Sequence, residues 1–179
     1  ASSGPTNFKG YAVNTEKGQF SCQSLVVATG GLAIPKIGAS PFGYRLAEQF
    51  GIPVVPPRPA LVPLALAPDV LEPIKPLAGS TLDAVAQFDD AQFRENVLIT
   101  HRGLSGPAIL QISSYWQMQE YRSGKKQPVA LDLLPGTDAG TWLEAHRQGR
   151  VHLPNLLAER LPRRFAHEWC ALLGGEKFV

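Results

Sequence analysis

The chain has 179 residues, of which 44% are hydrophobic and 18% are charged, and its formal net charge at pH 7 is +2. A chain of this length and composition can form one compact domain, or one and a half, and it is not disordered throughout. The small net charge argues against nucleic acid or an anionic membrane as a partner. No apolar stretch approaches the roughly 20 residues of a membrane helix, and two cysteines are too few for a disulfide scaffold, so we expect a cytoplasmic protein.

The first part of the chain predicts a small sheet followed by one helix. Tyr11–Thr15 and Gln19–Cys22 flank a tight turn and are expected to pair as a hairpin, and Ser24–Ala28 is predicted to be a buried strand. Ser40-Pro41 combines an N-cap hydroxyl with a proline at the first helical position. A helix is therefore predicted to begin there and to end at Gly51.

A proline-rich segment separates this region from the next group of strands. Eight of the sixteen prolines lie between residues 53 and 76, which forbids a long helix and favours a domain crossing. Within the segment, Leu61–Leu66 is predicted to be an edge strand. Beyond it, Thr81–Phe88 alternates apolar and polar residues, which is typical of a strand with one buried face, and Val97–Thr100 is predicted to be another strand.

The second half is predicted to change from strands to helices. His101–Gly106 is expected to be a loop, after which Pro107 begins a helix, and Val129–Leu134 is predicted to be a further strand. From Asp138 onward the pattern is helical, with a break at Pro162. These elements together predict a mixed α/β chain of the α+β class.

The first candidate site is the strand and turn that end in Ala28, Thr29, Gly30 and Gly31. A glycine pair at the carboxyl end of a buried strand lets a backbone approach a ligand closely. The alternative is a turn that binds nothing, because glycine pairs are common in turns. Neither the dinucleotide motif G-x-G-x-x-G nor the P-loop motif occurs in the chain.

The second candidate site lies between Thr100 and Pro107. Two glycines, a hydroxyl and a proline-started helix suit the binding of an anionic or carbonyl oxygen. The alternative is a capped helix entry in which Ser105 satisfies the first turn. Ser105 is not interpreted as a hydrolase nucleophile, because the elbow G-x-S-x-G would require glycine where Pro107 stands. The candidate residues are Thr100, His101, Arg102, Gly103, Ser105 and Gly106.

Other reactive side chains show no functional pattern. The four histidines lack metal-binding spacing, so no metal site is predicted. Asp89-Asp90 is interpreted as a polar turn, and Cys170 as a small core residue on the apolar stripe of a helix. Arg160, Arg163 and Arg164 are interpreted as the solvent-exposed face of the split helices.

Four segments occur in an order that resembles a known family. They are Ala28–Gly31, Gly38–Ala47, Pro59–Leu64 and Thr100–Ala108. Together they resemble the BaiN-like (YhiN-like) FAD-dependent oxidoreductases, also called aminoacetone-oxidase-type flavoproteins. One segment departs from the family, since Gly38–Tyr44 lacks the aspartate and one of the glycines that many relatives carry.

The resemblance implies that the chain is the middle of a longer enzyme. Residues 1–50 would be the last part of the first segment of a Rossmann-like FAD domain. Residues 51–135 would be an inserted, barrel-like β-rich domain that caps the substrate, and residues 136–179 a helical subdomain. Ala28, Thr29, Gly30 and Gly31 would lie against the FAD, whereas Thr100–Pro107 would lie toward the substrate.

The function implied by the resemblance is flavin-dependent oxidation or reduction of a small organic substrate. The remainder of the FAD domain would be a partner of this chain, and NAD(P)H is a possible second cofactor. We expect the chain alone to bind FAD weakly or not at all and to be incomplete for catalysis. The competing hypothesis is a non-enzymatic β-plus-helical binding or scaffolding module, and a nucleic-acid-binding use of the helical tail is disfavoured by the near-neutral charge.

Overall fold

A computed structural model of the chain describes residues 10–123, 127–149 and 151–174. The chain divides into two compact units, Ala1–Pro57 and Arg58–Val179. Each unit is considered by itself. The strands are Tyr11–Thr15 (β1), Gly18–Cys22 (β2), Leu64–Ala65 (β3), Thr81–Phe88 (β4), Ala91–Thr100 (β5), Gly103–Ser105 (β6) and Ala130–Asp132 (β7). The α-helices are Phe42–Gln49 (α1), Pro68–Ile74 (α2), Pro107–Ser123 (α3), Ala139–Ala145 (α4), Leu153–Leu157 (α5) and Arg163–Leu172 (α6).

The first unit contains the predicted hairpin and the predicted helix. β1 and β2 pair antiparallel, with Thr15 opposite Gly18, and the Thr15 hydroxyl donates a hydrogen bond to the Gly18 carbonyl at 3.0 Å. Helix α1 begins at Phe42, one residue after the predicted proline, and Gly51 follows its end with a φ of +69°. Ser40 does not cap this helix, because the N-cap position is Pro41.

The prediction of a buried strand at Ser24–Ala28 is wrong. This segment forms no strand, and Val26 is 84% exposed. A strand is defined by hydrogen bonds to a neighbour, and no strand of the described part of the chain pairs with residues 24–28. None of the described residues from 10 to 57 is buried, so this unit encloses no core of its own.

The second unit is built on a five-stranded antiparallel sheet in the order β3-β6-β5-β4-β7. The longest pairing joins β4 to β5, with Phe88 opposite Ala91 across the turn that contains Asp89 and Asp90. Asp89 has a φ of +53°, which a two-residue hairpin turn requires and which aspartate tolerates better than most residues. Strand β4 has the predicted boundaries, and β3 lies at the edge of the sheet as predicted, although it has only two residues.

One face of this sheet is apolar and is covered by helices. Leu82, Ala84, Ala86 and Phe88 alternate along β4 and are all buried, as the sequence pattern predicts. Helix α3 packs on the β4–β5 part of this face through fully buried residues such as Ile109. Burial of a side chain of this size contributes about 1.5–3 kcal/mol, so α3 is a major element of the core.

Helix α6 packs on the same sheet near the start of β4. Phe165 and Leu161 join Leu77, Leu82 and Ile99 in a second apolar cluster. Pro162 separates α5 from α6 as predicted, because proline is the N-cap residue of α6 and provides no N–H for a continuous helix. The described residues therefore combine an antiparallel sheet with helices, which confirms the predicted mixed α/β fold class.

Two further predictions about elements need correction. Gly103–Ser105 is strand β6 and not part of a loop, and β5 begins at Ala91 rather than at Val97. Glycines and short polar residues are poor strand formers, so the local pattern of β6 conceals a pairing that is set by its neighbours β3 and β5.

Candidate functional site

The glycine turn of the first unit packs against the first turn of α1. A Cβ placed on Gly43 would lie 3.8 Å from the Thr29 hydroxyl oxygen and 3.9 Å from a methyl carbon of Val27. A Cβ on Gly31 would lie 3.8 Å from the Tyr44 hydroxyl oxygen. The motif Ala28–Gly31 and the motif Gly38–Ala47 are thus brought together within this unit.

Gly30 is the residue of this turn that faces open space. Its φ is +72°, and nothing lies within 4 Å of a Cβ placed on it. A positive φ explains why glycine is favoured there, and the open space leaves room for a ligand to approach the backbone. Ala28 and Thr29 are exposed and Gly31 is half-buried, so the turn as a whole is accessible in this unit.

A groove of about 580 Å³ lies beside the same turn. Its walls are the β1 strand, the extended segment 25–29 and one side of α1, and its lining is mostly apolar. The lining includes Tyr11 and Phe50, whose rings meet edge to face with centroids 5.9 Å apart. Many large apolar side chains remain exposed in this unit, including Val26, Ile37 and Val55.

The second candidate segment contains the two-residue turn of the β-hairpin that β5 and β6 form. Thr100 lies opposite Gly103, and its hydroxyl donates to the Gly103 carbonyl at 2.9 Å while accepting from the Arg102 amide at 3.3 Å. The Arg102 carbonyl also accepts a bond from the Leu66 amide at 3.2 Å. The backbone of the turn His101-Arg102 is therefore held from both sides.

The two glycines of this segment have structural reasons to be glycine. A Cβ on Gly103 would lie 2.2 Å from the Leu64 carbonyl oxygen, and a Cβ on Gly106 would lie 2.5 Å from the Asn96 carbonyl oxygen. Both distances are impossible for real atoms, so any side chain at these positions would displace a neighbouring strand. These contacts account for both glycines without a ligand, and a role toward the substrate stays a prediction.

The remaining candidate residues differ in how accessible their side chains are. His101 and Arg102 are exposed at the tip of the hairpin, whereas Ser105 is half-buried within β6 opposite Leu98. Ser105 is therefore a strand residue and not the cap that the alternative interpretation assumed. The structure leaves His101 and Arg102 as the side chains of this segment that are most available to a partner.

A polar clamp, formed by the Ser113 and Ser114 hydroxyls of α3, holds the motif Pro59–Leu64 and was not predicted from the sequence. The Ser113 hydroxyl, on the buried side of α3, accepts from the Val62 amide at 3.0 Å and donates to the Leu110 carbonyl at 2.8 Å. The Ser114 hydroxyl accepts from the Leu61 amide at 3.2 Å. A signal existed in the sequence, because Ser113 follows the apolar residue Ile112 on the core-facing side of α3.

The motif held by this clamp continues along the chain into the edge strand of the sheet. Leu64 and Ala65 pair with Leu104 and Gly103, so the motif Pro59–Leu64 continues into the strand that flanks the hairpin motif. The Arg58 guanidinium lies over the Tyr121 ring, 4.0 Å from its centroid, and ties the start of the unit to α3. The motifs at 59–64 and 100–108 are thus brought together within the second unit.

The pKa shifts in the described residues have clear physical causes. A hydrogen bond from Arg94 lowers the pKa of Asp83, and the Thr141 hydroxyl, together with backbone amides, lowers the pKa of Asp138 at the start of α4. Cys170 is buried, which confirms its interpretation as a core residue, and this burial raises the pKa of its thiol. None of these groups lies in either candidate segment. No group of three or more His, Cys, Asp or Glu side chains in the described ranges is arranged to hold a metal ion.

Comparison with protein families identifies the second unit. The family described as the HI0933-like protein barrel and H2TH domain matches residues 58–177, about two thirds of the chain. The chain belongs to the HI0933-like family. This family is part of the HI0933/BaiN-type superfamily of FAD-dependent oxidoreductases, which confirms the resemblance at the superfamily level.

Curated relatives support the same placement. The chain is 46% identical over 158 residues to a ribosomal RNA dihydrouridine synthase from Escherichia coli, a match that covers 87% of this chain and 38% of the relative. It is 38% identical over 162 residues to the protein of the same name from Haemophilus influenzae, covering 89% of this chain and 38% of the relative. A 3-dehydro-bile acid delta(4,6)-reductase from Clostridium scindens is 30% identical over 136 residues, which are 73% of this chain and 32% of that protein.

The extent of these matches bears on both units. Because the first unit ends at residue 57 of 179, a match that covers 87% of the chain must extend into it. The chain spans less than two fifths of the length of these relatives. In the part of the chain that the structure describes, no helix is both long and apolar enough to cross a membrane.

Proposed function

We propose that this chain is the barrel-and-helix part, with one edge of the flavin domain, of an FAD-dependent reductase that converts uridine in ribosomal RNA to dihydrouridine. The observation that carries the proposal is the 46% identity to a ribosomal RNA dihydrouridine synthase over a match that includes residues of both units. We also propose that the protein acts in the cytoplasm.

The proposed chemistry is the reduction of a carbon–carbon double bond. Conversion of uridine to dihydrouridine adds two electrons and two protons across the C5–C6 bond of uracil, which is conjugated to the C4 carbonyl. When bound and reduced by NAD(P)H, the proposed source of the electrons, the flavin would supply the hydride. The residues of this chain would position the base and the cofactor, and we assign no proton donor among them.

The glycine turn of the first unit fits the proposed cofactor. Gly30 combines a positive φ with open space around its Cα, so a flat or phosphorylated ligand can approach the backbone without meeting a side chain. Ala28, Thr29, Gly30 and Gly31 are accordingly the proposed cofactor contacts. The exposed apolar side chains and the groove beside the turn are consistent with the remainder of the FAD domain covering this unit.

The hairpin between β5 and β6 is proposed to face the substrate. Five of the six candidate residues divide by role, because Thr100, Gly103 and Gly106 shape the hairpin and the sheet while His101 and Arg102 present exposed side chains. A hairpin whose backbone is fixed by hydrogen bonds on both sides is a rigid support for a binding group. The barrel would thus act as the cap that shapes the substrate cleft.

A small organic substrate is the second candidate. It is favoured by the 30% identity to a bile acid reductase, whose name also describes the reduction of a double bond in a carbonyl compound, and by the formal net charge of +2. On this hypothesis nucleic acid is not a partner. Both candidates share the flavin and the reaction class, and they differ in the size and charge of the substrate.

One reaction distinguishes these hypotheses. The full-length protein that contains this chain is purified, its flavin is identified by absorbance, and it is incubated anaerobically with NAD(P)H and ribosomal RNA from cells that lack its gene. Formation of dihydrouridine, measured by nucleoside mass spectrometry, supports the proposal. A flavin-containing protein that reduces a steroidal dienone but leaves the RNA unchanged would support the small-substrate candidate, and a colourless protein that does not respond to FAD would support a binding module.

A further inference from the structure

We propose that basic side chains at one end of the five-stranded sheet bind the phosphate backbone of RNA. The basic end is defined by His101 and Arg102 at the β5–β6 turn and by Arg163 and Arg164 at the start of α6. The inference rests on the proposed ribosomal RNA substrate and goes beyond it, because it assigns the surface that receives the RNA.

Backbone hydrogen bonds place these residues at the same end of the sheet. The Gly79 amide donates to the Ile99 carbonyl at 2.8 Å, and the turn His101-Arg102 follows Ile99 after one residue. The Arg164 guanidinium donates to the carbonyls of Pro76 and Ala78, immediately before Gly79. The β5–β6 turn and the start of α6 therefore both flank the segment that leads into β4.

Packing fixes the start of α6 in this position. Phe165, the residue after Arg164, is 1% exposed and belongs to the same apolar cluster as Leu82 and Ile99. Because Phe165 is locked against the sheet, the first turn of α6 is held beside the end of β5. Arg163 and Arg164 are themselves exposed, as are His101 and Arg102.

Among the residues that the structure describes, no acidic side chain forms an ion pair with the basic end. In the described ranges the ion pairs join Lys75 to Glu72, Arg94 to Asp83 and Arg147 to Glu144, and none involves the basic end. Arg164 is bonded to neutral carbonyls, which fix its side chain without removing its charge. Arg102 and Arg163 are therefore available to an external anion.

The opposite end of the sheet carries the opposite charge. The β4–β5 turn consists of Asp89 and Asp90, and β4 and β5 span the sheet from this turn to the basic end. The net charge of +2 thus averages over a surface that is positive at one end and negative at the other. It is the local charge that attracts an anion to a surface, so a small net charge does not exclude RNA.

The stability of α6 does not explain Arg163, whereas Arg164 is accounted for by its bonds to the carbonyls of Pro76 and Ala78. Positive side chains in the first turn of a helix are disfavoured by the helix dipole, and Arg163 and Arg164 occupy that turn without an acidic residue beside them. Glu168 lies one turn further along the helix. A phosphate group would compensate for this unfavourable placement, because guanidinium groups bind phosphate oxygens through paired hydrogen bonds.

Binding of the full-length protein to ribosomal RNA, measured by filter binding at several salt concentrations, tests this surface. Each phosphate contact makes affinity fall roughly threefold as salt rises from about 50 to about 200 mM. For each of Arg102→Gln and Arg163→Gln, we expect weaker binding and a slope of log K against log salt that is shallower by about 1. For the double variant we expect a slope that is shallower by about 2. Arg164 is left unchanged because its loss would also remove bonds within the fold.

Arg147→Gln is the matched control, since it removes one charge from a residue that is paired with Glu144 on α4. We expect its salt slope to equal that of the unmodified protein. If the unmodified protein binds RNA and the double variant retains its slope, the basic end is not the RNA surface, although the proposed function stands. If the unmodified protein does not bind ribosomal RNA at all, both this inference and the proposed substrate are wrong.

Discussion

Gly103 approaches Leu64 in the neighbouring strand so closely that a Cβ at position 103 would lie 2.2 Å from the Leu64 carbonyl oxygen. This contact joins two of the four motifs by which the chain resembles its family. The glycine also has a φ of +145°, so backbone conformation and steric contact both require it.

Gly103→Ala should therefore destabilise the second unit strongly. We expect a loss of about 2–4 kcal/mol in the free energy of unfolding, measured by urea denaturation, because a side chain at position 103 would both strain the backbone and displace β3. Gly79→Ala is the control, because its φ is +88° and a Cβ there would meet nothing within 4 Å. The control should lose about 1–2 kcal/mol from backbone strain alone. Equal losses in the two variants would show that the contact with Leu64 is unimportant.

Gly30→Val should lower flavin retention in the full-length protein. The added side chain would fill the open space beside the turn that we propose as the cofactor contact. Flavin retention is the ratio of flavin to protein absorbance after gel filtration. Gly38→Val is matched for backbone strain, with a φ of +95° and open space around its Cα, and it should retain more flavin. Full retention by Gly30→Val would remove Thr29–Gly31 from the cofactor site.

Ser113→Ala should weaken the connection between the motif Pro59–Leu64 and α3. The substitution leaves the part-buried Val62 amide without its acceptor, and we expect a loss of about 1–3 kcal/mol in the free energy of unfolding. Ser114→Ala should cost less, under about 1 kcal/mol, because the Leu61 amide that it releases is exposed and can bind water. Thermal unfolding of the two variants side by side measures the difference, and the reverse order would contradict the clamp.

Asp138 should contribute to stability at neutral pH and lose that contribution in acid. Bonds from the Thr141 hydroxyl and from backbone amides lower its pKa in the folded state. A carboxylate with a lowered pKa stabilises the fold above its ordinary pKa of about 4, and this stabilisation disappears as pH falls through the lowered value. Asp138→Asn should therefore lose less stability than the unmodified protein between about pH 6 and about pH 3. If the denaturant midpoints of Asp138→Asn change with pH in the same way as those of the unmodified protein, the cap does not depend on charge.

The elements that could be predicted are those whose own residues carry the signal, either as alternating buried side chains or as a proline. Thr81–Phe88 was predicted with the correct boundaries because alternate residues along it face one core. The helix beginning at Pro107 and the break at Pro162 were also predicted, because proline acts on the backbone locally.

What could not be predicted depends on distant partners. Strand β6 was missed because it owes its form to β3 and β5 rather than to its own residues. Ser24–Ala28 has the composition of a buried strand but has no pairing strand in the described part of the chain. The net charge likewise gave no sign that basic and acidic side chains are separated along the sheet, since that separation arises only when β4 and β5 pair.

The most direct test of the proposed function is the dihydrouridine content of ribosomal RNA in cells whose copy of this gene has been deleted. Nucleoside mass spectrometry of digested ribosomal RNA compares the deletion strain, the same strain complemented with the intact gene, and the parent strain. Our account predicts that dihydrouridine is lost from ribosomal RNA on deletion and returns on complementation. Unchanged dihydrouridine in the deletion strain, with no other gene supplying the modification, would contradict it.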